Sequence, residues 1–419
     1  MKAKVRLFSI LLICFGAAAS VWAASQKLGA EVSVSTCVVC KKRLAAVAGA
    51  ASGAFVVVWE STSTADPKGV SARFYTVNGA PRGADAPVSR NAGLDQYDAS
   101  VAVNAQGIYA VAWSEVGDDN NSEIFVQRFR STGQALGAAI RVNVDEPTAP
   151  LSPLDFEPAI AASRDGGFVV AWVRFIPPGA TTEGTRPEVM VRRFNSNGAP
   201  LGAPAKLSTG LLLGTRPDIC VDTANRAVVV WTIVDAIRPF EPSKKGVVMR
   251  RVAPAGTPLG AELRVAPPTA DDSQAAVSCG NGGTFVVVWS SDQAPASSAM
   301  DILAQRFTTA GRRQGAVFRV NSRVDGDQRE PAISHDGRGA FVVVWQSRAV
   351  EETVVGRRFT AAGTADGADF VVRTRGEDED RPTEPDVAHI GTAGNFVVVW
   401  QHSNAVVRAQ RFRVTAGRR

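Results

Sequence analysis

Histidine is almost missing from this chain, with three in 419 residues, and tyrosine is equally scarce at three. Sites built on histidine, whether metal centres or acid–base pairs, have little to draw on. No phosphate-binding glycine loop, zinc-protease helix motif or nucleophile-elbow motif occurs. An excess of one charge is missing too, since 46 basic residues face 40 acidic ones. Beyond the N-terminus no apolar run is long enough to cross a membrane, and no stretch keeps a helical period. What is there is 45% hydrophobic and 21% charged, a globular composition. The length allows two or three ordinary domains or one large repeat architecture.

The first 23 residues have the pattern of a secretory signal. Lys2, Lys4 and Arg6 precede a short apolar stretch, Leu7 to Ala19, and Val21-Trp22-Ala23 offers small residues to a signal peptidase. Ile13 before Cys14 is too bulky for a lipoprotein signal. Cleavage after residue 23 leaves 43 basic residues against 40 acidic. That is too near neutral for a nucleic-acid surface. The expected location is secreted or periplasmic, with no membrane insertion after cleavage. Cys37, Cys40, Cys220 and Cys279 remain, and an oxidising compartment allows them to form disulfides.

A repeat dominates the rest. Phe-Val-Val-Val-Trp stands at 55–59, 285–289, 341–345 and 396–400, and variants end at Trp113, Trp172 and Trp231. Seven tryptophans, 54 to 59 residues apart, mark seven copies. Each copy reads as four strands. Strand A resembles Pro158–Ala162, strand B is the Trp word, strand C resembles Ile124–Phe129 and strand D resembles Leu136–Asn143. Strand B is apolar on both faces, strand C alternates and strand D is more polar. That gradient is the one from a propeller's channel to its rim. The reading is an all-β, seven-bladed β-propeller of four-stranded blades. The chain ends on a strand C, Val407 to Phe412, so the last copy lacks strand D. Residues 28–34 supply an unpaired one that matches 259–265. The N-terminal strand is therefore expected to complete the last blade and close the ring. One propeller fills 24–419, with repeats over about 28–413.

These words resemble a repeat of many exported bacterial proteins, in which the Trp word is followed by Gln-Arg-Phe and then by Leu-Gly and Val-Asn segments. The resemblance covers nearly all of the chain after the signal. It implies the fold and says little about activity. Ser163-Arg-Asp-Gly-Gly167 and Ser334-His-Asp-Gly337 also look somewhat like the Asp-box turn of sialidase propellers. The Trp here falls further along than in that motif, and no tyrosine stands beside an acid in a recurring motif.

Several residues remain as candidates for chemistry. An arginine recurs on every strand C, as Arg73, Arg128, Arg193, Arg251, Arg306, Arg358 and Arg411. Its presence in every blade favours a repeated structural contact over a ring of anion ligands. Cys279, His335 and His389 hold matching places on three consecutive strands A, so their convergence on a metal stays open without a fourth ligand. The acidic stretches 118–121, 325–327 and 377–380 follow no calcium-loop spacing. Cys37 and Cys40 form a CxxC between strands rather than at a helix start, and read as a structural disulfide or two free thiols. Cys220 and Cys279 lie on adjacent strands A one register apart, and their pairing stays open. No metal or cofactor is implied.

Loop lengths point to one face. The spacings that report A–B and C–D turns are nearly constant, whereas Trp-to-Arg spacings run from 11 to 21 and the D-to-A spacings from 15 to 21. Variable loops on a rigid scaffold are where binding usually resides. The three longest, 144–157, 173–188 and 232–246, carry Phe156, Phe175 and Phe240 with Arg186, Arg238, Lys244 and Lys245. The expectation is a non-catalytic binding module that takes a protein or glycan on the B–C/D–A face. A carbohydrate-active propeller hydrolase and a structural assembly domain are the alternatives.

Overall fold

The computed structural model describes residues 24–36, 41–62, 69–89, 94–117, 121–144, 153–176, 187–209, 213–234, 245–293, 299–349, 351–374, 381–392, 394–402 and 406–415. It is a seven-bladed β-propeller. Each blade is one antiparallel sheet whose strands follow each other in the order A-B-C-D. The seven A strands are Lys41–Gly49, Asp95–Val103, Leu154–Ala162, Leu213–Val221, Ser273–Cys279, Asp327–His335 and Pro382–Ile390. They belong to blades 1 to 7 in that order and surround the channel.

The Trp words form the B strands. Trp59, Trp113, Trp172, Trp231, Trp289, Trp345 and Trp400 are all buried, because strand B packs against a neighbouring blade on each face. A buried indole N–H needs an acceptor. In five blades it comes from strand A, from the residue just before it, or from two residues after the Trp, whereas Trp59 Nε1 has no acceptor among the described residues. Asp155, Asp272 and Gln328 accept from Trp172, Trp289 and Trp345, and Glu115 and His402 accept from Trp113 and Trp400. Paired Phe rings at the ends of strands B and C, such as Phe168–Phe194 and Phe285–Phe307, stack with centroids 4.8 and 5.0 Å apart.

The last blade is closed by the N-terminus, as expected. Val32 and Ser33 pair with Ala409 and Arg408 of strand C, Val407–Thr415. The pairing reaches further back than residue 28, because Ala24–Lys27 lies along Thr415 to Phe412. Gly29, with φ +77°, marks the irregular stretch between the two paired segments. The chain thus meets its own beginning through a hydrogen-bonded ladder rather than through a loop.

In five blades the recurring strand-C arginine reaches the next blade, whereas Arg358 pairs with Asp366 of its own blade at 3.0 Å. Arg128 donates to Ser196 O, Arg193 to Ala253 O, Arg251 to Thr309 O, Arg306 to Ala362 O and Arg411 to Val77 O. In each case the acceptor lies on the C–D turn of the next blade. The turn glycine leaves room for it, since a Cβ on Gly79 would collide with Arg411 Nε. The structure corrects one member of the series. Arg73 pairs with Val57, the third residue of its strand B, whereas Arg128 pairs with Ala110, the second residue of its own. Phe74 holds the place in blade 1, and its ring lies 3.1 Å from where a Cβ on Gly133 would stand. Arg73 belongs instead with Arg192, Arg250 and Arg357. These reach back to strand-D carbonyls of the preceding blade, at Val34, Val142, Leu207 and Val320.

Deleting residues 24–35 should open the ring and leave strand C of the last blade as an unpaired edge. The expected result is loss of the single cooperative melt, measured by circular dichroism. An undiminished melt would contradict closure by this strand.

Candidate functional site

Near its start, every strand A carries a β-bulge, and at each bulge one non-glycine residue has a left-handed backbone. These are Leu44, Asp98, Glu157, Arg216, Gln274, Glu330 and Glu384, with φ between 48° and 56°. Such a conformation is uncommon outside glycine. Here it recurs seven times and turns one side chain per blade toward the channel mouth. A residue without an N–H can follow the bulge, and Pro158, Pro217, Pro331 and Pro385 do so. Together the seven residues and their followers line a cavity of about 470 Å³. It opens on the B–C/D–A face, since the bulges lie at the strand-A ends that follow the D–A connections.

The ring is also a chain of hydrogen bonds between blades. Glu157 N donates to Asp98 Oδ2 at 3.3 Å, Arg216 N to Glu157 Oε2 at 2.6 Å, Glu330 N to Gln274 Oε1 at 3.1 Å and Glu384 N to Glu330 Oε2 at 2.8 Å. Where Leu44 offers no acceptor, Glu60 Oε1 takes the N–H of Asp98 at 2.8 Å. Gln401 Oε1 takes that of Leu44 at 3.0 Å. Burial pushes the Glu157 and Glu384 carboxyls up, and the charge of Arg216 works against both shifts. The guanidinium of blade 4 is thus felt in blade 3 and across the mouth in blade 7.

Below the mouth the channel narrows to a space of about 280 Å³ walled by small and aliphatic residues, with Asp218 and Asp386 among them. Each accepts two backbone N–H groups. Asp218 takes Val277 at 2.7 Å and Ile219 at 2.8 Å, and Asp386 takes Val47 and Val387, both at 2.8 Å. Burial outweighs these bonds. The Asp218 carboxyl is pushed up to about 6 and that of Asp386 to about 7, the latter also raised by Asp218. At the far end Arg164 N donates to Asn225 Oδ1 and Arg164 Nη2 to Asn281 Oδ1, which links the A–B turns of blades 3, 4 and 5. Asn281 in turn donates to Gly337 O in blade 6.

Cys220 and Cys279 form a disulfide, which settles the open pairing and removes Cys279 as a metal ligand. His335 and His389 are half-buried, and desolvation of the rings, first among the causes, holds both down to about 3, which favours the neutral imidazole. Their backbone N–H groups are taken by Ser278 Oγ and Ser334 Oγ. No group of three or more potential metal ligands occurs among the described residues, and no helix there is long and apolar enough to cross a membrane.

Of the loop candidates, Phe156 and Phe175 are both half-buried at the foot of the long blade-3 loops. Phe156 lies opposite Val173, and Phe175 lies between Leu154 and Pro187. Between them Asp155 accepts from Arg174 Nε at 3.1 Å, Asn143 and Trp172, a buried network that fixes the loop bases. Lys245 pairs with Asp271 at 2.9 Å. Arg186, Arg238, Phe240 and Lys244 lie outside the described residues, as do Cys37 and Cys40. The channel ring is not among the candidates that the sequence offers. Its only signal there is a polar residue before the strand-A proline or its substitute, in six copies of seven.

No protein-family model and no curated protein matches the sequence. Solved structures do. A protein of unknown function from Dyadobacter fermentans superposes with TM-score 0.56 at 11% identity, over 93% of this chain and 99% of that one. An ulvan lyase, a polysaccharide lyase, superposes with TM-score 0.55 at 8% identity, over 90% and 95%. A Hadza microbial sialidase reaches 0.49 at 12% identity, over 86% and 76%. These likenesses are of fold.

The channel acids make a pH prediction. A carboxyl whose folded pKa is raised binds more protons folded than unfolded. Its contribution to stability is therefore lost as pH rises from the ordinary carboxylate range through the raised value. For Asp386 that window ends near 7. The neutral histidines act the other way, losing stability as pH falls below the ordinary imidazole value, but they are common to wild type and variant. Asp386→Asn should therefore gain on the wild type by roughly 2 kcal/mol between about pH 5 and about pH 8. Urea melts at both pH values measure it, and a pH-independent difference would contradict it.

Proposed function

We propose that this chain is an exported, non-catalytic binding module that takes a glycan or protein on its B–C/D–A face. The observation that carries this is what the mouth carboxylates do. Three of the four mouth carboxylates, Asp98, Glu157 and Glu330, each accept a backbone N–H from the next blade. They are committed to holding the ring. A hydrolase needs a pair of carboxyls free to exchange protons with substrate or to attack it. The cavity they surround is nevertheless concave, polar and open on the face whose loops vary most, which suits recognition. The Cys220–Cys279 disulfide supports export, because such bonds persist in oxidising compartments. The polysaccharide lyase of like fold favours testing carbohydrate first.

The partner is proposed to dock over the mouth and the neighbouring long loops of blades 3 and 4. Purified protein from residue 24 onward, applied to a glycan array and to pull-downs, should retain a glycan or a protein. Phe175→Ala with Phe240→Ala should weaken that binding about tenfold while leaving the melting temperature nearly unchanged. Lost stability with intact binding would make these rings loop core only. Hydrolysis of a retained glycan would overturn the non-catalytic reading.

A further inference from the structure

Around the mouth, six of the seven blade boundaries hand a backbone N–H to a side chain of the preceding blade. Four of these acceptors are ring residues, and the other two, Glu60 and Gln401, directly follow a Trp. The boundary between blades 4 and 5 is different. Arg216 holds the ring place, and a guanidinium is only a donor, so it cannot take the N–H of Gln274. Thr232 holds the place after Trp231, and its buried Oγ1 makes no hydrogen bond among the described residues. Both positions that supply an acceptor elsewhere therefore fail at one boundary. That boundary is also where Cys220 and Cys279 join the two A strands covalently. At the equivalent level of the next two boundaries the link is a hydrogen bond, from His335 N to Ser278 Oγ and from His389 N to Ser334 Oγ. The disulfide thus strengthens the one boundary that Arg216 weakens.

Arg216 itself is exposed at the mouth. Its side chain makes no hydrogen bond or ion pair among the described residues, whereas Asp98, Glu157, Gln274 and Glu330 are all engaged. A residue that breaks a repeated structural contact, and whose loss is compensated nearby, has a reason to be there other than folding.

We propose that Arg216 is the residue with which the mouth holds its ligand, and that the ligand is the uncharged, hydroxyl-rich end of a glycan. This rests on the binding-module reading and names the ligand class of that site. The mouth sets a pure donor, Arg216, among the acceptor oxygens of Asp98, Glu157, Glu330 and Glu384. A sugar hydroxyl donates and accepts at once, so adjacent hydroxyls satisfy both kinds of group. An acidic sugar would meet carboxylates that outnumber the guanidinium. A cationic sugar would compete with Arg216 for them. The cavity of about 470 Å³ lies within the range of small-molecule sites.

The test has two arms, each on the chain from residue 24 onward. In the first, thermal melts compare wild type, Arg216→Gln, Cys220→Ser with Cys279→Ser, and the triple variant. The glutamine of Arg216→Gln would supply at this boundary the kind of acceptor that Gln274 supplies at its own. The expected result is no loss of melting temperature in Arg216→Gln, and a drop on losing the disulfide that is at least halved in the Arg216→Gln background. Reducing the intact wild type and Arg216→Gln with dithiothreitol gives the same comparison without serine variants. Equal drops in both backgrounds would overturn the compensation. In the second arm, calorimetric titration uses cello-, manno- and N-acetylchito-oligosaccharides, with oligogalacturonate and glucosamine oligomers as charged counterparts. At least one neutral series should bind, and at least tenfold more weakly to Arg216→Gln. A preference for either charged series, an unchanged affinity in the variant, or no saccharide binding would overturn the ligand assignment. In the last case, a protein captured on the loop face would leave the broader binding reading standing.

Discussion

The inner edge of each blade faces the channel, and its backbone N–H groups have no further strand to pair with. An orphaned donor screened from bulk water is costly, so each must find an acceptor. In this propeller the acceptors are side chains of the preceding blade. Asp98, Glu157, Gln274 and Glu330 serve at the bulge, Asp218 and Asp386 two residues deeper, and Ser278 and Ser334 deeper still. The same contacts set the spacing of the A strands, and so the width of the channel. Outside them, the strand-C arginines repeat the device with the roles reversed, placing donors against the carbonyls of neighbouring turns and rim strands.

The parts of this design that rest on apolar pattern were legible in the sequence. The Trp word marks a strand buried on both faces, and its seven occurrences give the blade number. The mismatched ends give the closure, because a strand D without a strand C and a strand C without a strand D have one simple solution. The polar contacts were less legible. Arg73-Phe74 reads like the Arg-Phe of other copies, yet Tyr75 takes the place of their final Phe, and the pair is displaced by one residue. In a strand, one residue is the difference between two faces. The ring was hidden for a related reason. Its left-handed backbone is carried by Leu, Asp, Glu, Arg and Gln rather than by glycine, so nothing in the residue type announces the bulge.

Cysteine register shows the same limit from the other side. Cys220 and Cys279 sit one place apart when their strands are aligned by their neighbours, which in a flat sheet would point them away from each other. Strands A of adjacent blades do not pair as a sheet. They meet edge on around a channel, so the ladder rule does not apply, and a bond offset by one residue is the natural one. The offset also describes the hydrogen bonds at that level, where the N–H of His335 meets Ser278 rather than the residue aligned with it.

The acidity of the channel follows from its structural task. A carboxylate is a strong acceptor with two oxygens, so Asp218 and Asp386 can each hold an N–H of their own strand and one of the next blade. Repeating that solution around a narrow axis brings like charges together in a place with little water. Their pKa values then rise by burial, and the mutual repulsion adds to it at Asp386. The structure limits this accumulation in two ways. Most positions at the Asp218 level are Ala or Ser, and the acids there stand in blades 4 and 7, on opposite sides of the channel. Above them, Arg216 places one positive charge among the mouth carboxylates and lowers the cost of ionising Glu157 and Glu384. An acceptor at that position would complete the hydrogen-bond chain but add nothing against the charge. The electrostatic demand of the channel and the hydrogen-bond demand of the blade boundary therefore compete for one residue, and the disulfide below it lets the first demand be met.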